Sequence, residues 1–520
     1  MLRQFHNVAQ ISRLGDGIRA THFPGAMALG ATRSPNQAFE IAKATAKELA
    51  AVGINWNFGP VLDVISEQGN TTISVRAFGD DPQMVGRFGL AFAEGLRAGG
   101  VGHCAKHFPG IASTQDGRRG SVFLAKSSDE IESTEMVPFR RAVSAGLDSV
   151  MLSSSIWPGN GPEDNDDKSN HHHHHHHHNN NNNNNGNNNG SSADGARHVI
   201  HEMLRRQLGY EGVTVCDVTD MPVFVKDPQN IGEAVVTAIS SGCDMIQIYH
   251  NPTIQTQGIR AIYDAVDQGR IRRDDIYRSS SLIFRLKEHY LNWRTALAAP
   301  DPQRLPALML QHEAIARKAY EHSITVVRDE RALIPLSTKI APKDLLLLLT
   351  PVVRPLHQRA TGEPAMDPFE CFGRALAHRH PRIVHAPYTA HGITQTHLSL
   401  IKRCAAIIFI TSNATRPSAK SQVQTAGAVH RLCCSKPLVN LAVCDPYDLL
   451  DDRKCTEIPQ SRCPSLPFCF FLFYSFCSPF FLPSPSFFLF SSSLPPSPSF
   501  FLLSPSPPFF FLFPSRLLFP

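Results

Sequence analysis

Several short apolar runs of this chain end in polar or charged residues. Asp63 follows the first such run, and Asp217 closes a later one. Between them, Lys106 and His107 end a third run. In a barrel of parallel strands the carboxyl ends surround one mouth, and enzymes of that architecture carry out their chemistry there. The pattern therefore predicts one site that gathers carboxylates, a lysine and a histidine.

The elements that must position these residues alternate between strand and helix. Apolar residues in the first helical segment recur at spacings of three and four, which is the period of one helix face. The predicted strands are 54–58, 102–107, 149–153, 213–217 and 244–248, and the predicted helices are 35–52, 82–98, 128–145, 198–208 and 231–241. Such alternation implies a parallel sheet, and we predict an α/β fold with a TIM (β/α)8 barrel. Only five strands can be assigned where a closed barrel needs eight, so the predicted barrel is incomplete.

A second α/β unit follows the barrel after a linking helix. Its predicted strands are 344–350, 382–385, 405–411 and 438–443, with helical segments between them. This arrangement is typical of a smaller three-layer α/β sandwich. We therefore divide the chain into a barrel domain over 1–300, a sandwich domain over 301–455 and a low-complexity tail over 456–520.

Two segments have compositions that do not suit a packed core. The insert over 159–195 contains the histidine run 171–178 and a mainly asparagine run. The tail holds 17 of the 32 phenylalanines, among serine, proline and leucine. Ordering one residue costs about 1–2 kcal/mol of backbone entropy, which polar homopolymers and proline-rich runs recover poorly. We expect both segments to be disordered without contacts to the domains, and the histidine run defines no metal geometry.

Charge and cysteine content exclude several classes of protein. Lys+Arg number 50 against 45 Asp+Glu, and this net charge of +5 is too small to indicate a nucleic-acid partner. The 12 cysteines are scattered without a CxxC pair, which favours buried thiols over a disulfide framework. No apolar stretch reaches about 18 residues and no signal peptide is visible, so no membrane association is predicted. The default expectation is a cytoplasmic protein, and the oligomeric state stays open.

Three stretches are specific enough to indicate a family. They are NTTISVRAFGDDP from Asn70, KHFPG from Lys106 and GYEGVTVCDVTDM from Gly209. In this order and spacing they resemble glycoside hydrolase family 3, and within it the β-N-acetylhexosaminidase branch. The earlier stretches SRL and FPGAMALG are similar to the same branch. The resemblance covers about 11–451, and the family pattern is incomplete at both ends.

The resemblance implies a glycosidase that acts on carbohydrate and needs no metal or other cofactor. Asp217 matches the family's nucleophile, which in a retaining mechanism attacks the anomeric carbon of the sugar. Arg76, Lys106 and His107 match sugar-binding residues, and their nitrogens suit the oxygens of a pyranose. Asp63 is interpreted as a supporting residue that orders Arg76 or nearby backbone.

The loop after KHFPG departs from the family pattern. This branch carries an Asp–His pair there as general acid and base, but Arg119 stands where the histidine is expected. The pKa of arginine stays above about 12, so it cannot transfer a proton near neutral pH. Asp116, one position from the expected aspartate, is the remaining catalytic candidate. The expected activity is release of terminal β-linked N-acetylhexosamine, and the alternatives are a catalytically impaired sugar-binding remnant or a β-glucosidase of the same family.

Overall fold

The structure of the protein is a computed structural model of the whole chain. It describes residues 20–65, 73–111, 114–116, 122–124, 126–153, 192–217, 230–248, 251–327, 329, 331–352, 368–414, 419–433, 435–443, 448 and 469–472. The described strands of the first domain are β1 (Trp56–Asn57), β2 (Gly102–Phe108), β3 (Thr114–Asp116), β4 (Val122–Leu124), β5 (Ser149–Leu152), β6 (Val213–Asp217) and β7 (Met245–Gln247). Its described helices are α1 (Ala26–Ala31), α2 (Pro35–Ala51), α3 (Pro82–Ala98), α4 (Ser128–Ser133), α5 (Met136–Ser144), α6 (Ser192–Arg197), a π-helix (His198–Gln207), α7 (Ile231–Ser240), α8 (Pro252–Asp267), α9 (Arg273–Tyr290) and α10 (Trp293–Leu297).

A curled sheet of five parallel strands forms the centre of the first domain. Its order is β1-β2-β5-β6-β7, so all five predicted strands are confirmed, and the sheet is consistent with the predicted (β/α)8 barrel. The two short strands β3 and β4 form a separate antiparallel hairpin, which the sequence did not predict.

Alternate residues of the five strands pack into two different cores. Residues of the outer face pack against the surrounding helices, and they include Ala105, Val150, Cys216 and Ile246. Residues of the inner face form a second cluster with α9, and they include Cys104, Met151, Val215 and Met245. Because side chains alternate along a strand, this division fixes which strand-end residues point inward.

Helix α9 closes the amino ends of the strands. The Tyr290 hydroxyl donates a hydrogen bond to Asp148, which precedes β5. The Ser279 hydroxyl donates to Asp244, which precedes β7, at 2.7 Å. Burial raises the pKa of Asp148, but hydrogen bonds from His103 and Tyr290 outweigh burial and hold it at about 2. Polar groups at this end of the barrel are therefore paired with one another and stabilise the fold.

The second domain contains a six-stranded sheet. Its strands are β8 (Thr325–Val326), β9 (Leu346–Pro351), β10 (Ile383–Tyr388), β11 (Ala406–Ser412), β12 (Leu438–Val443) and β13 (Cys469–Leu472), and its described helices after the linking helix are α12 (Pro368–Ala377), α13 (Gln395–Arg403) and α14 (Ser421–Leu432). The linking helix α11 (Leu305–Ser323) packs against the first domain, beside α1 and α2. The order is β10-β9-β11-β12-β13-β8, with only β8 antiparallel to its neighbour. Apolar clusters cover both faces of the sheet, as expected of a parallel sheet between two helical layers.

The expectation that the tail makes no contact with the domains is wrong for four residues. The strand Cys469–Leu472 pairs with β12 on one side and with β8 on the other. This stretch contains no proline and is rich in phenylalanine, so it can recover the cost of ordering through sheet hydrogen bonds. The remainder of the tail and most of the insert lie outside the described residues, although α6 already begins at Ser192.

Two exclusions drawn from the sequence can be compared with the structure. In the described ranges no helix combines the length and apolar content that crossing a bilayer requires. Five cysteines of the described ranges are buried, namely Cys104, Cys216, Cys243, Cys404 and Cys433. Burial of the scattered cysteines is what their spacing predicted.

Candidate active site

A β-bulge presents Lys106 and His107 at the carboxyl end of β2. Lys106 pairs with Met151 of β5, whereas Phe108 pairs with the very next residue, Leu152. His107 is therefore an extra residue in the ladder, and such bulges redirect side chains next to functional sites. The lysine side chain is 5% exposed, which places it inside the domain rather than at the surface.

The segment that follows β1 forms backbone hydrogen bonds to Lys106 beside this bulge. The backbone N–H of Lys106 donates to the Pro60 carbonyl at 3.0 Å, and the N–H of Leu62 donates to the Lys106 carbonyl at 2.6 Å. This pairing brings Asp63, one residue further along, beside the end of β2. Asp63 and Lys106 thereby approach each other although they lie far apart in the sequence.

Asp63 is buried and holds two groups. Its Oδ2 accepts a hydrogen bond from Nδ1 of His107 at 2.7 Å, and its Oδ1 accepts from the backbone N–H of Ile111 at 2.8 Å. The sequence suggested that Asp63 orders Arg76 or nearby backbone. In the structure its side-chain partner is His107, and its backbone partner lies just past the KHFPG stretch.

This contact determines which ring nitrogen of His107 carries the proton. Burial lowers the pKa of His107 to about 4, although Asp63 acts to raise it, so the imidazole is neutral at physiological pH. A neutral imidazole that donates through Nδ1 leaves Nε2 without a proton. His107 therefore offers an acceptor to a ligand hydroxyl.

Lys106 is electrostatically linked to the other predicted residues. The pKa of Lys106 is lowered to about 7, chiefly by burial and then by the positive charge of Arg76, whereas Asp63 and Asp217 act to raise it. Residues that interact in this way share one site, and a lysine whose charge changes near neutral pH is typical of functional sites. The structure thus brings together Asp63, Arg76, Lys106, His107 and Asp217.

Arg76 is held by a close contact between a short helix and α1. It ends the 3₁₀ turn Ser74–Arg76, which is followed directly by Ala77 and Phe78. A Cβ atom placed on Gly30 of α1 would lie 1.9 Å from the Phe78 carbonyl oxygen. Only glycine permits this approach, so the glycine of the FPGAMALG stretch helps to position the arginine.

Asp217 closes β6 and is 9% exposed. Val215, two residues earlier, packs in the inner cluster, so Asp217 faces the inside of the curled sheet as well. Its backbone pairs in register with Gln247 of β7. The carboxylate of Asp217 therefore lies inside the curled sheet at the carboxyl end of β6.

Of the two loop residues Asp116 and Arg119, the structure describes only Asp116. The backbone of Asp116 ends β3 and pairs with Val122 in the hairpin. Arg119 lies outside the described residues. The proton-transfer role assigned to Asp116 from the sequence therefore stays a prediction.

One site residue was missed by the sequence reasoning. Gln247 is 6% exposed and lies beside Asp217 on the inner face. The available signal was a single glutamine within the apolar run Met-Ile-Gln-Ile, because a polar residue in a buried strand needs a reason. Among the described residues, no group of three or more histidine, cysteine, aspartate or glutamate side chains could hold a metal ion.

A family model and several curated relatives match this chain. The glycosyl hydrolase family 3 N terminal domain matches residues 8–286, which is more than half of the 520 residues. A β-hexosaminidase A of Pseudoalteromonas piscicida is 30% identical over 291 residues, covering 54% of this chain and 45% of the relative. A β-N-acetylglucosaminidase/β-glucosidase of Cellulomonas fimi is 28% identical over 353 residues, covering 66% and 57%. The chain thus spans about half the length of these curated relatives.

Solved structures have the same fold. A fungal multi-domain family 3 β-N-acetylglucosaminidase with a GCN5-related glucosamine N-acetyltransferase region superposes with a TM-score of 0.69 at 29% identity, over 88% of this chain and 48% of that one. The family 3 β-N-acetylglucosaminidase of Paenibacillus sp. str. FPU-7 gives a TM-score of 0.66 at 25% identity, over 89% and 79%. Both matches extend well beyond the barrel into the second domain.

Proposed function

Because the chain belongs to glycoside hydrolase family 3, we propose that it releases terminal β-linked N-acetylhexosamine with Asp217 as the nucleophile. The observation that carries this proposal is the position of Asp217, at the same end of the sheet as the electrostatically linked Lys106 and Arg76. The names of the relatives support N-acetylhexosamine as the sugar.

The reaction follows from the chemistry of these groups. The carboxylate of Asp217 attacks the anomeric carbon, the bond to the leaving-group oxygen breaks, and that oxygen takes a proton from a general acid, for which Asp116 is the candidate, or from solvent. Water then attacks the glycosyl ester and gives a proton back to the same group or to solvent, and Asp217 is regenerated as a carboxylate while the sugar keeps its β configuration. Lys106 and Arg76 donate to sugar oxygens, and Nε2 of His107 accepts from a sugar hydroxyl.

Proton transfer is the step for which this chain departs from its family. With Arg119 in place of a histidine, a leaving group that needs no proton should react far better than a sugar alkoxide. We expect an aryl β-N-acetylglucosaminide with an acidic phenol to exceed a β-linked disaccharide in kcat/KM by about 10²–10⁴-fold, beyond the ordinary preference of an enzyme with an intact acid. A pre-steady-state burst of phenol should precede slow turnover, because water also lacks its general base.

The same burst experiment decides between the alternatives. Absence of both burst and turnover from folded protein would indicate a sugar-binding remnant. Efficient disaccharide turnover would show that a proton donor is present, and Asp116 would then be the first residue to replace. The relative from Cellulomonas fimi is named for both activities, so the matching aryl β-glucoside should be assayed in parallel.

Sugar affinity should depend on pH through Lys106. Its ammonium group can only donate hydrogen bonds, and its pKa is lowered to about 7, chiefly by burial. The dissociation constant for N-acetylglucosamine should therefore rise about tenfold or more between pH 6 and pH 9, as the donor loses its charge. Calorimetric titration of the wild type against Lys106→Met measures this. The variant should bind weakly with no such pH dependence, and a flat wild-type profile would contradict the role of Lys106.

A further inference from the structure

Gln247 is held beside the proposed nucleophile by the sheet itself. Asp217 and Gln247 are directly paired residues of the neighbouring parallel strands β6 and β7, so their side chains leave the sheet on the same face about 5 Å apart. Met245, two residues earlier on β7, packs in the inner cluster, which confirms that this face is the inside. Gln247 is 6% exposed, so its amide lies within the site rather than on the surface.

The order of the strands places Gln247 and Lys106 on opposite sides of Asp217. Lys106 is on β2, which is separated from β6 by β5, whereas β7 lies on the opposite side of β6. Two strand spacings separate the backbones of β2 and β6 by about 10 Å. Lys106 lies level with Val215, two residues before Asp217, so the backbones of Lys106 and Asp217 are far enough apart for their side chains to bind different ends of one pyranose ring. A sugar with its anomeric carbon at Asp217 and its hydroxyls at Lys106 directs its glycosidic bond toward β7.

We propose that Gln247 binds the leaving-group sugar. It then determines which leaving group is accepted, rather than which N-acetylhexosamine binds at Asp217. This inference rests on the proposed function. An uncharged amide offers two donors and one acceptor, which suits the hydroxyl and acetamido groups of a second sugar. An aryl leaving group has no such groups, so it would gain little from Gln247.

The test compares two leaving groups in Gln247→Leu, which keeps a similar volume but removes the amide. For N,N′-diacetylchitobiose, kcat/KM should fall about tenfold, as expected when a neutral hydrogen-bonding partner is lost. For the aryl β-N-acetylglucosaminide it should stay within about twofold, and inhibition by N-acetylglucosamine should not change. Met245→Leu, a nearly volume-conserving control on the same strand face, should change neither substrate. Equal losses on both substrates, or no loss on the disaccharide, would overturn the proposal.

Binding measurements keep the inference testable if disaccharide turnover is too slow to measure. Calorimetry with the wild type and Gln247→Leu should show weaker binding of the disaccharide alone, with unchanged binding of N-acetylglucosamine. Equal binding of the disaccharide by both proteins would refute the role of Gln247 and leave the proposed function intact. Failure of the folded wild type to bind either sugar would refute the proposed function together with the inference.

Discussion

Replacing Asp217 by alanine should lower kcat for the aryl β-N-acetylglucosaminide by at least about 10⁴-fold. The variant loses the only group that the account assigns to attack on the anomeric carbon, while its sugar-binding residues remain. Added azide should restore part of the activity, because a small anion can enter the space of the carboxylate and attack from the same face. Its product should be the α-glycosyl azide, which chromatography and NMR distinguish from the β product of the wild type.

A control just before the same strand separates chemistry from folding. Glu211 is exposed and lies two residues before β6, at the amino end of the strand and away from the proposed site. Glu211→Ala should keep wild-type kcat, and both variants should unfold at temperatures close to that of the wild type. An Asp217→Ala variant with activity within tenfold of the wild type would exclude Asp217 as the nucleophile.

Replacing Asp63 by asparagine should have the second largest effect. The amide can still accept the hydrogen bond from Ile111, but its NH2 group then faces Nδ1 of His107. The imidazole must move its proton to Nε2 and present a donor where the sugar hydroxyl needs an acceptor. A wrong histidine tautomer is costly in catalysis, and we expect a loss in kcat/KM of roughly 10²-fold or more. Nitrogen-15 NMR of the histidine ring should report the changed tautomer directly.

The chain contains a matched control for this variant. His103 lies near the start of β2 and His107 near its end, and Nδ1 of His103 also lies 2.7 Å from a carboxylate, that of Asp148. With its pKa at about 2, Asp148 contributes stability that is fully present at neutral pH and is lost as the pH falls below about 4. Asp148→Asn should lower the unfolding temperature but leave kcat/KM of the folded protein within about threefold. Equal losses of kcat/KM in Asp63→Asn and Asp148→Asn would show that Asp63 acts only through stability.

The five strands of the first sheet and strands β9 to β12 of the second could be predicted because each is a short apolar run with a polar or glycine-containing end. Strand β8 was not predicted, because it has only two residues. The hairpin of β3 and β4 could not be predicted, because three-residue strands carry too little alternation to stand out. The strand Cys469–Leu472 was also missed. Its composition matches the rest of the tail. It forms a strand because it pairs with β8 and β12, which lie elsewhere in the sequence.

The site residues were identified largely through motifs, and their partners were not. Asp63 and His107 are 44 residues apart, and a hydrogen bond across that distance leaves no local signal in the sequence. The bulge at His107 breaks the alternation along β2, so a simple strand pattern would place Lys106 and His107 on opposite faces. Gln247 was missed because its importance depends on the register between β6 and β7.

Trapping the covalent intermediate would show directly which residue attacks the sugar. Folded protein should be mixed with the activated aryl β-N-acetylglucosaminide, quenched with acid during the burst, digested and sequenced by mass spectrometry. We expect one N-acetylhexosaminyl group per chain, attached to Asp217, and no adduct in Asp217→Ala. An adduct on another residue, or steady turnover of the substrate without any adduct on Asp217, would contradict the account.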